Sequence, residues 1–404
     1  MASEPFILRW GILATGGIAT TFSKDLLIAT STRDAHDIQH LITAAASSTS
    51  TSRAETFLRA IGAPKEATAH GSYTALVKDP NVDIIYVATP HSHHYQHTRL
   101  ALEAGKHVLV EKPITVNAAQ ARTLYSLAKE KNLFLMEAVW TRFFPLTRAV
   151  QADIASGRLG TVKRVSADLS FWGDVEADFG PQHRMLNMDL AGGALLDLGV
   201  YSLTWVFLVL WHLQKKEGRV GPGVKGWMSK YAGTGCDEMA SVVLDFPGAG
   251  VGEVEEDGTE TVKDNGDAHA LALTGLRTSH QPNPGVDMPS VRIQGTKGDI
   301  LVYGISPRPL SYTLVPAQNE RRAKLADFEV ENKEFKIPGG GHGMFWEADE
   351  CARCVRDGKL ESEVMGWEES VQVMEVMDEV RRQSDLVYSE ALESVEYPLE
   401  GFGV

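Results

Sequence analysis

Short apolar runs alternate with helix-like stretches over the first 140 residues, and this alternation constrains the fold more than any other feature. The runs cover residues 7–13, 42–46, 83–87 and 108–110, and each ends in small, polar or proline residues. Strands that alternate with helices form βαβ units, whose strands lie parallel in one sheet. The sequence therefore predicts an α/β fold, with a doubly wound parallel sheet in a domain of residues 1–140.

The pattern changes after residue 140, where strands begin to follow one another. A helix is predicted at 146–154, and two more near the end at 345–355 and 368–382. The candidate strands are 162–171, 240–246, 269–278, the two arms of a hairpin within 290–303, and 312–315. Successive strands indicate an antiparallel sheet, so residues 141–404 are predicted to form a second domain. Gly-rich or acidic residues at 213–226 and 247–268 are predicted to be surface loops.

A turn that contains two glycines follows the first strand. Residues 14–19 read Ala-Thr-Gly-Gly-Ile-Ala before a helical stretch, which matches most of the fingerprint of a Rossmann dinucleotide-binding domain. There the backbone approaches a pyrophosphate and the helix N-terminus supplies N–H donors. The candidate cofactor contacts are Thr15, Gly16, Gly17 and Ile18. Ala14 replaces the first glycine and is expected to be strained if the turn requires positive φ. Taken alone, residues 14–19 fit an ordinary strand–turn–helix without a bound dinucleotide about as well as they fit the fingerprint.

The second strand ends in hydroxyl-bearing residues instead of a carboxylate. Residues 47–53 read Ser-Ser-Thr-Ser-Thr-Ser-Arg, and no acidic residue appears before Glu55. A carboxylate here would take the ribose 2′-hydroxyl of NAD, whereas hydroxyls and an arginine suit the 2′-phosphate of NADP. We therefore predict NADP as the cofactor, held by Ser47, Ser48 and Arg53. The alternative is a solvated polar loop.

Polar residues also follow the third strand, at the sheet edge where ligands bind. Thr89 and Pro90 end this strand, and four histidines come next, at positions 91, 93, 94 and 97. No Cys or carboxylate joins them with the spacing of a metal site. We therefore expect no metal, and one imidazole near the nicotinamide of the cofactor.

Two further runs carry candidate acids and bases. Residues 105–113 form a β-branched strand that stops at Pro113, which cannot donate to a ladder. The strand presents Glu111 and Lys112 at the ligand-binding edge of the sheet. The alternative is that the two residues form only an ion pair on the surface.

A second candidate acid and a tyrosine lie in residues 192–201, which read Gly-Gly-Ala-Leu-Leu-Asp-Leu-Gly-Val-Tyr. Asp197 and Tyr201 are four residues apart, so on a helix they share one face. The alternative is that Tyr201 is only a core side chain whose hydroxyl donates a hydrogen bond to Asp197.

Charge and composition limit the kind of partner. The chain has 404 residues, 43% of them hydrophobic, which is enough for two cores, and its net charge of −14 disfavours nucleic acid and anionic membranes. The apolar run at 205–211 is too short to span a bilayer, and the N-terminus does not resemble a signal peptide. The three cysteines favour a reducing compartment, so a cytoplasmic location is expected. Cys351 and Cys354 are interpreted as helix packing.

Together, these motifs occur in an order that resembles a known family. The glycine turn, Thr-Pro-x-x-x-His, Glu-Lys-Pro and Gly-Gly-x-x-x-Asp-x-Gly resemble the glucose–fructose oxidoreductase/inositol dehydrogenase (Gfo/Idh/MocA) family. Tyr201 and the run 136–143 resemble its dihydrodiol dehydrogenase branch. The runs 183–193 and 341–350 resemble the fungal NADP-dependent D-xylose dehydrogenases of that branch. The resemblance implies a Rossmann domain, a second α/β domain with a large open sheet, and homodimers built on that sheet.

The resemblance also implies a role for individual residues. The implied catalytic residues are Lys112, Asp197 and Tyr201. The implied cofactor contacts, beyond those already named, are Thr89, Pro90, His94, Glu111 and Lys112. The implied substrate contacts are Trp140, Arg142, Phe171 and Arg184.

The implied activity is oxidation of an aldopyranose, D-xylose above others, to its lactone by NADP. A base must take the proton, and tyrosine, with a pKa of about 10, is a poor base at neutral pH unless a cation favours the phenolate. Lys112 is the expected cation. The alternatives are oxidation of trans-dihydrodiols, redox-neutral glycoside cleavage with tightly held NAD, and a catalytically silent dinucleotide sensor. Residues 47–53 disfavour the glycosidase, and the three implied catalytic residues disfavour the sensor.

Overall fold

The computed structural model describes residues 4–249, 266–283, 285–318, 326 and 328–403. They form two sheets, one of six strands and one of eight. The predicted α/β class is confirmed.

The six-stranded sheet is made by the first part of the chain. Its strands are β1 Phe6–Leu13, β2 Ile38–Ala46, β3 Thr68–His70, β4 Ile84–Val87, β5 His107–Glu111 and β6 Leu135–Ala138. The accompanying helices are α1 Gly17–Leu26, α2 Thr51–Ile61, α3 Tyr73–Val77, α4 His94–Glu103 and α5 Ala118–Lys131. The strand order β3-β2-β1-β4-β5-β6, with every pair parallel, is that of a Rossmann domain.

The strand order reverses between β1 and β4, and this places the ligand-binding crevice. The two strands pair side by side, with Leu13 opposite Val87. The chain leaves β1 toward one edge of the sheet and leaves β4 toward the other, so their following loops diverge. The glycine turn after Leu13 and the Thr-Pro turn after Val87 therefore border one cleft.

The eight-stranded sheet is made by the second part of the chain. Its strands are β7 Val162–Ser170, β8 Gly223–Lys230, β9 Asp237–Phe246, β10 Ala268–Gly275, β11 Pro289–Gly295, β12 Gly298–Ile305, β13 Arg308–Pro316 and β14 Glu331–Glu334. Only the β7–β10 pair is parallel among the described strands of this sheet, so the prediction of a large, mostly antiparallel sheet is confirmed.

One predicted loop is partly wrong. The sequence predicts a loop throughout 213–226, but β8 begins at Gly223. Gly226 lies against Val380, where any side chain would clash, so close packing explains a glycine that resembles a loop residue. Of the other predicted loop, residues 250–265 lie outside the described residues, and residue 268 already belongs to β10.

Helices cover one face of the larger sheet. The helices of this half are α6 Pro145–Ala155, α7 Val175–Asp178, α8 Val200–Leu210, α9 Phe345–Arg356, α10 Trp367–Gln383 and α11 Glu390–Glu393. The three predicted helices are confirmed as α6, α9 and α10. The segment Met188–Leu210, which contains α8, is long and apolar enough to cross a membrane, but its apolar 18-residue window is buried inside the protein. It therefore serves as the core of this half.

Helix α9 packs against the first sheet, although it follows the second in sequence. Asp349 of α9 pairs with Arg33 at 2.7 Å and with His40 at 2.9 Å. Cys351 and Cys354 are free thiols buried in the same helix, as the helix-packing interpretation required. A domain boundary at residue 140 thus separates the two sheets. It does not separate the helices in the same way, because α9 belongs to the second part of the chain but packs against the first sheet.

Candidate active site

A cavity of about 660 Å³ opens at the end of the crevice, between the two sheets. All of the predicted site residues except Arg142 line it. The lining residues that were not among the predicted site residues are Ala14, Thr49, Tyr73, Ala88, His91, Leu169, Leu190, Leu198, Ile305, Pro307 and Met344. Most of these are apolar side chains that carry no chemical signature in a single sequence.

The glycine turn forms one end of the cavity. Ala14 has a φ of 87°, so the strain expected from an alanine at this position is confirmed. Gly16 caps α1, and a Cβ built at Gly16 or Gly17 meets no atom of the described chain within 4 Å. Both glycines therefore border open space at a helix N-terminus, where unpaired N–H groups favour an anion.

A second helix N-terminus lies beside the first. The Ser50 side chain caps α2 by accepting a hydrogen bond from Arg53 N at 3.3 Å. Arg53 is exposed and forms no ion pair with a described residue, and Ser47 and Ser48 line the same wall. Hydroxyls, backbone N–H groups and a guanidinium suit a phosphate on the ribose, so these residues fit NADP.

The opposite end of the cavity is organised by one aspartate. Lys112 Nζ donates to the backbone oxygen of Asp197 at 2.6 Å and to its Oδ1 at 3.0 Å. Arg184 Nη1 donates to the same Oδ1 at 2.9 Å, and His91 Nε2 lies 3.4 Å from it. Burial alone would raise the pKa of Asp197, but Lys112, His91 and Arg184 hold the pKa well below its usual range. The carboxylate is therefore ionised.

A turn of π-helix delivers Asp197. The turn spans Leu195–Gly199 and continues into α8, and such turns are frequent at functional sites. The buried Asp237 carboxylate accepts a hydrogen bond from Leu195 N at 2.6 Å. Gly193 has a φ of 131°, and a Cβ there would overlap Oδ1 of Asp237. The glycine is required by this close approach.

Tyr201 lies on α8, one turn beyond Asp197. Its phenol oxygen accepts a hydrogen bond from Trp140 Nε1 at 2.8 Å, and Lys112 Nζ lies 5.0 Å from its ring centroid. Burial, then the carboxylate of Glu111, raises the pKa of Tyr201 well above its usual value. The net pKa of Tyr201 is therefore raised, although the Lys112 ammonium beside its ring was expected to lower it. The ammonium is tied to Asp197, and burial outweighs it.

The histidines hold the loops of the site together. His94 is buried, with Nδ1 2.7 Å from the Pro113 carbonyl oxygen and Nε2 2.8 Å from that of Thr89. It lies between the loops after β4 and β5, and because burial lowers its pKa to about 3 the neutral ring donates a hydrogen bond to only one of the two carbonyl oxygens. His91 is the imidazole that faces Asp197. Among the described residues, no group of three His, Cys, Asp or Glu side chains is placed to hold a metal ion.

Two charged residues of the run 136–143 lie behind the cavity wall. Arg142 is buried, donates to Glu369 and to the Val364 carbonyl oxygen, and does not line the cavity. The prediction that Arg142 contacts the substrate is corrected accordingly, because its charge is paired inside the core. Glu137 accepts hydrogen bonds from Ser370 Oγ and, at 3.0 Å, from Ile114 N, and so supports the loop that follows Lys112.

Known proteins are similar to this chain in sequence and in fold. The model of an oxidoreductase family with an NAD-binding Rossmann fold matches residues 8–139, and that of the GFO/IDH/MocA C-terminal domain matches residues 147–301. D-xylose 1-dehydrogenase (NADP(+)) of Hypocrea jecorina is 50% identical over 397 residues, 97% of this chain and 96% of its own. Trans-1,2-dihydrobenzene-1,2-diol dehydrogenase of Macaca fascicularis is 32% identical over 93% of this chain and 96% of its own. A levoglucosan dehydrogenase, solved with NADH and levoglucosan, has the same fold, with a TM-score of 0.72 at 16% identity over 94% of this chain and 97% of its own.

The Rossmann sheet, with Lys112, Asp197 and Tyr201 lining the cavity beside the carboxyl ends of its strands, is typical of a dinucleotide-dependent oxidoreductase. With both family models matched in order along the chain, and a relative at 50% identity, the chain belongs to the Gfo/Idh/MocA oxidoreductase family.

The buried carboxyl of Glu137 should make stability depend on pH. Burial raises the pKa of Glu137 from 4.5 to about 7 in the folded protein. Because the folded state holds this proton more tightly, the stability from protonated Glu137 is full below pH about 4.5 and is lost as pH rises through about 7. Glu137→Gln keeps an acceptor for Ile114 N and cannot ionise. Relative to that variant, the parent should lose about 2–3 kcal/mol of unfolding free energy between pH 4.5 and 8.

Urea unfolding at several pH values measures this difference. Glu55→Gln, on the exposed side of α2, is the control and should follow the parent at every pH. A constant difference between parent and Glu137→Gln across the range would show that Glu137 does not change its protonation there.

Proposed function

We propose that the protein oxidises an aldopyranose, D-xylose above others, at its anomeric carbon to the lactone, with NADP as the oxidant. The observation that carries the proposal is the cluster of Lys112, Asp197 and Tyr201, beside Trp140, at one end of a cavity whose other end suits the phosphates of a dinucleotide. The relative from Hypocrea jecorina, which matches nearly the whole chain, supports the choice of sugar and cofactor.

The cofactor would lie along the cavity, with its phosphates held at the glycine turn and its 2′-phosphate beside Ser47, Ser48 and Arg53. When bound, NADP supplies the acceptor for the hydride that leaves the anomeric carbon. Lys112 would hold the nicotinamide end, because its ammonium has a third N–H beyond the two that it donates to Asp197.

The proton of the anomeric hydroxyl would pass to Tyr201. The phenol faces the cavity, and its oxygen already accepts from Trp140 Nε1. That indole N–H and the nearby ammonium of Lys112 would stabilise the phenolate. Asp197 would act as a positioning residue, since it fixes the Lys112 ammonium over the Tyr201 ring.

The sugar would be held between apolar walls and one exposed cation. Trp140 and Phe171 line the cavity with aromatic surface. Arg184 also lines it, and its side chain is 55% exposed even while it pairs with Asp197. The guanidinium can therefore donate to a sugar hydroxyl.

Oxidation of trans-dihydrodiols is the second candidate. Leu169 and Ile305 add to the aromatic walls, which suits a carbocyclic diol, and relatives at 32% identity are trans-dihydrobenzenediol dehydrogenases. A panel of aldoses and trans-dihydrodiols, followed by absorbance of the reduced cofactor with NADP and NAD, separates the two. Turnover of the diols with none of the aldoses would overturn the main proposal.

Arg53→Ala should weaken NADP binding selectively. Loss of a charge-assisted hydrogen bond to the 2′-phosphate should raise the Kd of NADP by about 10- to 100-fold, and should leave that of NAD unchanged because NAD lacks the phosphate. Fluorescence titration measures both constants. Arg59→Ala, on the same helix, is the control. Equal losses for the two cofactors would contradict the assignment.

Tyr201→Phe should lower kcat by about 10²–10⁴-fold, the usual contribution of general acid–base catalysis, and should leave the Kd of NADP near that of the parent. Because the pKa of Tyr201 is raised, the oxidation rate of the parent should climb steadily between pH 7 and 10, and the variant should lose this slope. Lys112→Met should be at least as damaging. Steady-state kinetics measures kcat. If the kcat of Tyr201→Phe equalled that of the parent, the proposed role of Tyr201 as the base would be contradicted.

We also propose that two copies associate through the uncovered face of the larger sheet. Gly226 faces the helices against Val380, so Trp227 points to the opposite face, where it is 63% exposed. On the neighbouring strands Val243 and Leu271 are paired in register and are also exposed. An apolar sheet face of this kind marks an interface.

Leu271→Glu should convert the dimer to a monomer, because it buries a charge at the centre of this face. Analytical ultracentrifugation measures the mass. Val387→Glu, at a position 71% exposed and outside the sheets, is the control and should leave the mass unchanged. A monomeric parent at all concentrations would refute the proposed dimer.

A further inference from the structure

Residues 394–403, called the strap here, cross helix α4 beside the cavity. Backbone carbonyl oxygens of the strap accept hydrogen bonds from three consecutive side chains of α4. Tyr95 Oη donates to Val395 at 2.6 Å, Gln96 Nε2 donates to Glu396 at 2.7 Å, and His97 Nε2 lies 2.7 Å from the Phe402 oxygen. The strap is therefore bound in a fixed register.

The contact of His97 with the strap determines which ring nitrogen carries a proton. His97 is 1% exposed, and burial, with a smaller contribution from His93, lowers its pKa to about 3. The imidazole is thus neutral at physiological pH and carries one N–H. A carbonyl oxygen can only accept, so the hydrogen lies on Nε2 and points to Phe402. The other nitrogen, Nδ1, is left as an acceptor.

The acceptor nitrogen in turn orients the hydroxyl of Thr89. Nδ1 of His97 lies 3.1 Å from Thr89 Oγ1. Because Nδ1 has no hydrogen, the hydroxyl must donate to it, and a threonine hydroxyl has only one hydrogen. Thr89 also lines the cavity. Toward a ligand it can therefore present only lone pairs.

Thr89 is near the end of the cavity where Lys112 lies. The His94 ring lies within 2.8 Å of the Thr89 carbonyl oxygen and within 2.7 Å of that of Pro113, the residue after Lys112, so the two residues are close together. The phosphate-binding features lie at the opposite end, so a dinucleotide that spans the cavity has its nicotinamide half beside Thr89.

We propose that the strap, through His97, makes Thr89 a hydrogen-bond acceptor for an N–H or O–H group on the nicotinamide half of the cofactor. His97 is then a positioning residue that acts through Thr89. This inference rests on the proposed function for the identity of the ligand, and only on the described contacts for the direction of the hydrogen bonds.

The direction of the hydrogen bonds is tested without cofactor. In protein labelled with ¹⁵N-histidine, the signals of His97 are identified by their absence in His97→Gln. We expect a protonated Nε2 and an unprotonated Nδ1. A proton on Nδ1, or on both nitrogens at neutral pH, would overturn the proposal whatever the protein binds.

The consequence for binding is tested with Thr89→Val. This variant keeps the shape of the side chain and removes the acceptor, so the Kd of NADP in fluorescence titration should rise about tenfold. Thr98→Val is the matched control. Its hydroxyl is buried with no partner among the described residues, and its loss should change the Kd less than twofold. Parental affinity in Thr89→Val would overturn the proposal.

The donor on the cofactor is identified with 3-acetylpyridine adenine dinucleotide phosphate, which has no amide N–H. If the carboxamide is the donor, Thr89→Val leaves the Kd of this analogue unchanged, and if a ribose hydroxyl is the donor, the loss equals that for NADP. Either outcome supports an acceptor role for Thr89.

The positioning role of His97 is tested by coupling. His97→Gln should weaken NADP binding in the parent and have no further effect in Thr89→Val, because the two residues act in series. Additive losses would show that His97 acts by another route. If the parent itself does not bind NADP, the proposed function fails, while the tautomer of His97 still stands or falls on the spectrum.

Discussion

The contact between Lys112 and Asp197 is the interaction on which the rest of the site depends. It joins the end of a strand in the parallel sheet to the π-helical turn that begins the core helix of the second half. Both side chains are nearly buried, and a buried charge is tolerated only when it is paired. Loss of Asp197 would leave Lys112, Arg184 and His91 without their shared carboxylate, whereas loss of Lys112 would still leave Asp197 paired with Arg184 and His91. The pair therefore joins the two halves of the protein at the wall of the cavity.

The two ends of the cavity have different electrostatic environments. Helix N-termini, hydroxyls and Arg53 make one end favourable for phosphates. At the other end burial raises the pKa of Tyr201, and the acidic side chains of Glu111 and Glu347 raise it further. Both oxygens of Glu347 lack a hydrogen-bond partner among the described residues, and burial raises its pKa well above the usual value. The phenol is thus protonated at rest, and oxidation must draw on the small ionised fraction that the Lys112 ammonium and the Trp140 indole stabilise.

The sequence is informative where chemistry follows directly from chain order. In a parallel sheet the residues that follow each strand meet at one edge, so the order of the motifs alone assigns Gly16, Ser47, Thr89 and Lys112 to one site. The strain at Ala14 follows from its place in the turn. Other features depend on packing. Met344 reaches the cavity from a distant loop, Arg142 turns inward to Glu369, and the pKa of Tyr201 reflects burial that no local pattern encodes. His91, not His94, faces Asp197, and four closely spaced histidines cannot be told apart in sequence.

The central claim is that a hydride leaves the anomeric carbon of a sugar in this cavity. Incubation of the protein with NADP and D-xylose deuterated at C1, followed by mass spectrometry of both products, tests it most directly. We expect deuterium in the reduced cofactor, an unlabelled xylonolactone and a primary isotope effect on kcat/KM. Deuterium that stays in the sugar, with no reduced cofactor formed, would contradict it.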